Sequence, residues 1–125
     1  MGLNMKKITI LTLLSAVALS TQVYAGKKDH VVIQEAQKNH VQIVQAKQLP
    51  KDTSVTLIGV LVKQLDEETF ELKDATGTML LDIDDDITRT TQIKVGDKVK
   101  VIGEVDTHIY KPTDIDVVLI EKINP

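Results

Sequence analysis

Residues 54–62, Ser-Val-Thr-Leu-Ile-Gly-Val-Leu-Val, decide how this chain is expected to fold. In an extended strand, successive side chains point to opposite faces, and here both alternating sets are largely apolar. The pattern therefore predicts a strand that is covered on both faces for much of its length. Gly59, in the middle of the stretch, permits a sharp bend or a bulge. A long first strand that bends at a glycine can pair at both of its ends, which favours a small closed barrel.

Four further short strands are predicted downstream. Residues 69–74 alternate strictly, and residues 78–84 return as a third strand after the hairpin loop 75–77, whose glycine suits a positive backbone φ. Alternation is visible again over residues 99–105 and 115–123. The apolar side chains that are expected to point into one barrel are Leu57, Phe70, Leu72, Ile83, Val101 and Val117.

Five short strands, with a longer connection over residues 85–94, match the barrel that binds oligonucleotides or oligosaccharides, the OB fold. The predicted fold class is therefore all-β with small helical additions, a five-stranded Greek-key barrel of the OB type over residues 43–125. Ile43, Ala46 and Leu49 recur at a spacing of three and predict a short N-terminal helix, which the following proline ends. An open sheet sandwich is the alternative architecture.

The first 25 residues have the three parts of a secretory signal peptide. Two lysines precede an uncharged apolar run over residues 8–19, and residues 23–25, Val-Tyr-Ala, form a small-x-small cleavage site. A transmembrane anchor is the alternative, but the run is shorter than the roughly 20 residues that a spanning helix needs. We expect cleavage after Ala25 and release into the periplasm, with membrane contact only through the leader. Residues 26–42 are then predicted to form a polar, loosely held N-terminal arm.

Composition narrows the class of partner. Loss of Lys6 and Lys7 with the leader changes the formal net charge from −3 by two, to −5. Nucleic acid is excluded as a partner, because phosphate contacts need clustered lysine and arginine. An OB fold that binds nucleic acid also presents several exposed aromatic residues, whereas this chain has no tryptophan and one phenylalanine. There is no cysteine, so the barrel must be held by its core without disulfides.

Asp82, Asp84, Asp85 and Asp86 form the densest run of charge in the chain. Strand alternation would place Asp82 and Asp84 on one outer face, with Ile83 in the core. Such carboxylates would bind a hard cation or a basic peptide, although their spacing is not that of an EF-hand loop. The alternative, which the pattern favours, is a solvated strand end that prevents edge-to-edge pairing.

A second acidic group, Asp106, Asp114 and Asp116, flanks the last loop. It would form one acidic surface with the first two aspartates of the run, since strands three and five can reach the same end of a barrel. Glu67 and Glu68, in the first turn, are expected to lie away from this surface. Ordinary solubility charge is the alternative interpretation.

The last loop also contains Tyr110, flanked by His108 and Lys111, where OB folds commonly bind ligands. A tyrosine can stack on a sugar or anchor a peptide. His30, His40 and His108 do not have the spacing of a metal-binding motif, and no nucleophile motif is present. The sequence therefore predicts no metal site, no cofactor and no catalytic residue.

Five ordered motifs carry a resemblance to a known family; they lie at residues 55–59, 72–78, 81–84, 103–106 and 115–117. The pattern resembles the bacterial OB-fold (BOF) family of periplasmic stress-tolerance proteins over roughly Val44 to Ile123. The resemblance implies a monomeric periplasmic barrel linked to envelope stress, including tolerance of peroxide, metals or cationic antimicrobial peptides. It implies no established catalytic residue.

These observations predict a non-catalytic binding protein of the periplasm that uses the loop 106–113 and the acidic strand ends as its contact surface. The expected partner is a cell-envelope glycan, a cationic peptide or an envelope protein. The alternative is a scaffold or accessory protein that docks on another envelope protein without a small ligand. A hydrolase on the same scaffold is disfavoured, because no motif supports one.

Overall fold

The computed structural model describes residues 27–123, and the predicted signal peptide lies outside the described residues. From Val31 onward the chain forms one compact unit. The elements, in chain order, are α1 (Lys27–Ala36), α2 (Ile43–Ala46), β1 (Ser54–Asp66), β2 (Thr69–Asp74), β3 (Gly77–Asp82), α3 (Asp85–Thr91), β4 (Lys98–Asp106) and β5 (Asp114–Lys122).

The five strands close into a barrel in the order β1-β2-β3-β5-β4. β1 pairs with β4 through residues 54–60 and with β2 through residues 60–66, so that one strand serves both neighbours. β3 and β5 run parallel and meet only at residues 80–82 and 114–116, whereas the other neighbours are antiparallel. The prediction of a five-stranded OB-type barrel is confirmed.

Gly59 lies where β1 passes from β4 to β2. A Cβ atom at this position would be 2.5 Å from the backbone carbonyl oxygen of Lys73 on β2, well inside van der Waals contact. The two backbones can approach this closely only because residue 59 has no side chain. Register shifts follow within β1, between residues 61 and 63 and between residues 64 and 66. The glycine predicted to permit the bend therefore also permits a close approach of the β1 and β2 backbones.

The core of the barrel is apolar and well covered. Phe70 is 1% exposed and Val117 is 4% exposed. The other side chains that the sequence predicted to point inward are fully buried. The strand register read from the alternation is therefore correct on the inner face, since a slip of one residue would have exposed the whole set.

Helix α2 is fixed to the β2–β3 hairpin through Asp74. The backbone N–H of Ile43 donates to Asp74 Oδ2 at 2.9 Å, and the N–H and hydroxyl of Thr76 both donate to Asp74 Oδ1. Burial by itself would raise the pKa of Asp74, but these hydrogen bonds outweigh it and hold the pKa below its usual range. The ionised carboxylate therefore stabilises the contact between helix and hairpin.

The predicted polar arm, residues 26–42, contains helix α1. Val32 and Ala36 are buried, and their spacing of four residues places them on one face of the helix. None of the helices within residues 27–123 has both the length and the apolar character required to cross a bilayer.

Strand β3 ends at Asp82, two residues earlier than the alternation predicted. The N–H of Ile83 donates to the carbonyl oxygen of Glu68 at 2.8 Å, and Asp84 is already the N-cap of α3. Ile83 nevertheless remains fully buried. The chain thus leaves the sheet without losing the inward side chain that the pattern identified.

Candidate functional site

Strand-end aspartates meet at one end of the barrel. Asp82 on β3 is paired with Asp116 on β5, and Asp106 on β4 is paired with Asp114 on β5. Asp84 follows Asp82 by two residues, and its charge raises the pKa of both Asp82 and Asp116. These five residues are called the acidic cluster below. Strand pairing thus brings together the aspartates that the sequence analysis had grouped.

Repulsion within the acidic cluster acts on two carboxyl groups. Burial raises the pKa of Asp116, and the charge of Asp82 adds to this effect. Burial likewise raises the pKa of Asp82, followed by the charges of Asp114 and Asp84. Both groups hold a negative charge less readily than an isolated aspartate, so a nearby cation would relieve the repulsion.

Lys51, in the turn before β1, neutralises one member of the cluster. Its Nζ is 2.7 Å from Asp106 Oδ1, and this hydrogen bond is the largest reason that the pKa of Asp106 is lowered and that of Lys51 is raised. The turn is held against β4 because the N–H of Asp52 donates to the carbonyl of Val105 at 2.7 Å. Sequence reasoning missed Lys51, since 55 residues separate it from its partner and no local motif links them.

His108 lies between two aspartates of the cluster. Its Nε2 is 3.0 Å from Asp114 Oδ1 and 3.6 Å from Asp106 Oδ2. Asp114 is buried, with 8% of its surface exposed, and His108 is half-buried. One atom each of Asp106, His108 and Asp114 lie within 4.8 Å of one another. The sequence analysis placed all three residues at the last loop but predicted no metal site there, because the pairing of β4 with β5, and not a motif spacing, brings the side chains together.

The tip of the loop between β4 and β5 carries two exposed apolar side chains. Ile109 is 88% exposed and Tyr110 is 96% exposed. Lys111, which follows them, is also exposed, and its charge lowers the pKa of Asp106. An apolar and aromatic tip therefore projects beside the acidic cluster, in the loop where the sequence predicted ligand contact.

The acidic run identified in the sequence is divided by the fold. Asp85 and Asp86 belong to the first turn of α3, where both pair with Arg89; the Asp85 carboxylate is 3.1 Å from the guanidinium. Only Asp82 and Asp84 of that run belong to the acidic cluster. The remaining two share the single positive charge of Arg89 within their own helix.

The expectation that Glu67 and Glu68 lie away from the acidic surface is wrong. Thr69, at the start of β2, is the direct partner of Asp82 at the end of β3. The carbonyl of Glu68 also accepts the N–H of Ile83. In an antiparallel hairpin the start of one strand faces the end of the other, so the β1–β2 turn lies at the same end of the barrel as the acidic cluster.

Comparison with known proteins agrees with this architecture. Protein YgiW of Escherichia coli (strain K12) is 39% identical over 80 residues, which cover 64% of this chain and 61% of YgiW. Calcium-regulated OB-fold protein CarO of Pseudomonas aeruginosa is 39% identical over 72 residues, which cover 58% of this chain and 61% of CarO. The aligned region thus spans less than two thirds of the length of either relative.

A solved structure of ygiW from E. coli superimposes with a TM-score of 0.62 at 34% identity, over 68% of this chain and 90% of that one. Residues 24–122 match the family described as bacterial OB fold (BOF) protein. The resemblance noted in the sequence is thereby confirmed, and the chain belongs to the bacterial OB-fold family.

Proposed function

We propose that this protein is a non-catalytic binding protein of the periplasm that contributes to envelope stress tolerance by binding cationic peptides at the acidic cluster. The observation that carries the proposal is the placement of five carboxylates beside an exposed apolar and aromatic loop tip. The leader-like residues 1–25 support the periplasmic location. Membership of the bacterial OB-fold family supports a binding role.

A cationic peptide that is also partly apolar fits both parts of this surface. Its lysine or arginine side chains would lie against Asp82 and Asp116, whose pKa values are raised by burial and then by neighbouring negative charges. Its apolar side chains would pack on Ile109 and Tyr110, which are almost fully exposed. Aromatic residues are enriched among those that dominate binding energy at protein interfaces.

A second ligand class is favoured by Tyr110 alone. A tyrosine that is 96% exposed at a loop tip can stack on a sugar ring, so a cell-envelope glycan is the next candidate. Docking on another envelope protein without a small ligand would use the same loop tip. Peptide binding, glycan binding and docking on an envelope protein differ in how much they depend on the carboxylates of the acidic cluster.

The proposal is tested by fluorescence anisotropy with a labelled lysine-leucine peptide and the purified protein. Asp116→Asn is compared with Glu121→Gln, which removes the same charge from the same strand. The two positions are five residues apart, about 17 Å along a strand, beyond the Debye length of about 8 Å at physiological ionic strength. We expect Asp116→Asn to weaken binding about two- to fivefold, the range for a partly exposed ion pair, and Glu121→Gln to leave it nearly unchanged.

Equal losses of peptide affinity in the two variants would show that only the net charge of the protein matters, and would refute a specific peptide site at the acidic cluster. A loss of peptide affinity in Tyr110→Ala without any loss in Asp116→Asn would assign the contact to the loop tip and refute the acidic cluster as the peptide site. Added salt should weaken the peptide complex, because exposed charges are screened.

A further inference from the structure

Asp106 and Asp114 are directly opposed on neighbouring strands, an arrangement that is unfavourable for two like charges. Cross-strand partners present their side chains on the same face of a sheet. The strand register is nevertheless fixed, because Val105 and Ile115, which follow the same pairing, are fully buried in the core. The fold thus holds two carboxylates together and places the imidazole of His108 between them.

Two of the three distances between the donor atoms are close to those of a tetrahedral metal site, and the third lies within 4.8 Å. His108 Nε2 is 3.0 Å from Asp114 Oδ1 and 3.6 Å from Asp106 Oδ2, and all three atoms lie within 4.8 Å of one another. A zinc ion binds nitrogen and oxygen ligands at about 2.1 Å, which separates neighbouring ligand atoms of a tetrahedron by about 3.4 Å. Small side-chain shifts would therefore suffice to surround an ion.

We propose that Asp106, His108 and Asp114 bind a divalent transition-metal ion, for which zinc is the best match. The imidazole decides the class of metal, because nitrogen ligands suit zinc, copper and nickel, whereas calcium takes six to eight oxygen ligands. Three protein ligands leave a fourth position for water or a further ligand. This inference goes beyond the proposed peptide binding and does not depend on it.

Lys51 competes with the metal. Its ammonium group is bound to Asp106 Oδ1, whereas Oδ2 of the same carboxylate faces His108. Asp106 can therefore hold the lysine with one oxygen and the metal with the other, but the positive charge of Lys51 opposes a second cation. Removal of the lysine head group should strengthen metal binding, an effect opposite to that of removing a ligand.

The test is isothermal titration calorimetry of untagged protein with Zn²⁺ in a non-chelating buffer. We expect one site, weakened at least about tenfold by His108→Gln or Asp114→Asn, because even loss of an outer-shell partner costs about 10- to 100-fold in metal affinity. Lys51→Ala should bind Zn²⁺ about two- to fivefold more tightly, the worth of an exposed ion pair. His40→Gln, which removes an exposed histidine outside the group, should bind like the wild type.

Unchanged Zn²⁺ affinity in His108→Gln, or an equal loss in His40→Gln, would overturn the proposal. If Asp114→Asn alone destabilises the metal-free protein, His108→Gln and Lys51→Ala still decide the question, because both residues lie outside the strands. Zn²⁺ binding that persists in a protein without affinity for the lysine-leucine peptide would refute the peptide proposal only.

Discussion

Truncation of Phe70 to alanine should remove a large part of the stability of the barrel. The side chain is 1% exposed and packs in the main core cluster. Burial of an aromatic side chain removes about 150–250 Å² from water, which corresponds to about 4–6 kcal/mol at about 25 cal/mol per Å². Measured Phe→Ala costs in cores are about 3–5 kcal/mol, and a domain of this size has only about 5–15 kcal/mol in total.

The assay is thermal unfolding followed by far-UV circular dichroism, with a urea titration to obtain the free energy of unfolding. A loss of about 3–5 kcal/mol corresponds to a midpoint lowered by at least about 12 °C in a domain of up to 100 residues. Tyr110→Ala is the matched control, because it truncates another aromatic residue that is 96% exposed, and it should change stability by less than about 0.5 kcal/mol. Equal midpoints for Phe70→Ala and wild type would refute the placement of Phe70 in the core.

Two further predictions concern the elements that shape the barrel. Asp74→Ala should cost about 1–2 kcal/mol at pH 7, because it removes a carboxylate that caps backbone N–H groups. Since the folded-state pKa of Asp74 is lowered, the wild type should lose this contribution as the pH falls below about 4, whereas the variant should show a flatter decline in urea titrations across that range. Gly59→Ala should cost about 1–3 kcal/mol in the same assay, because the new Cβ would overlap the carbonyl of Lys73. An unfolding midpoint equal to that of the wild type would show that β1 and β2 can move apart here without loss of stability.

The barrel could be predicted from the sequence because the residues of its inner face are apolar at every second position along much of each strand. Leu57, Phe70 and Leu72 are apolar in the period of a strand, and their burial follows from that period. Helix α1 was not predicted, since its buried face consists of little more than Val32 and Ala36 in a polar segment. Such a helix is stabilised by packing on its neighbours and not by its own pattern.

The candidate site was predicted only in part, because its residues lie far apart in the sequence. The convergence of Asp82 with Asp116 followed from the expected strand order. The position of Lys51 beside Asp106 depends on a turn docked across 55 residues, and the β1–β2 turn was assigned to the wrong end. Contacts of this kind depend on which distant strands pair when the barrel closes, and a short stretch of sequence does not specify that pairing.

The parallel contact between β3 and β5 is the shortest seam of the barrel, with three residue pairs against eight between β4 and β5. Local opening follows the least-stabilised contacts, so hydrogen exchange should be fastest along this seam. Asp82 and Asp116 are paired across this seam, so we expect the repulsion between their carboxylates to weaken it. A cation bound between them would hold β3 and β5 together. Its binding should slow hydrogen exchange across the barrel without a change in the fold.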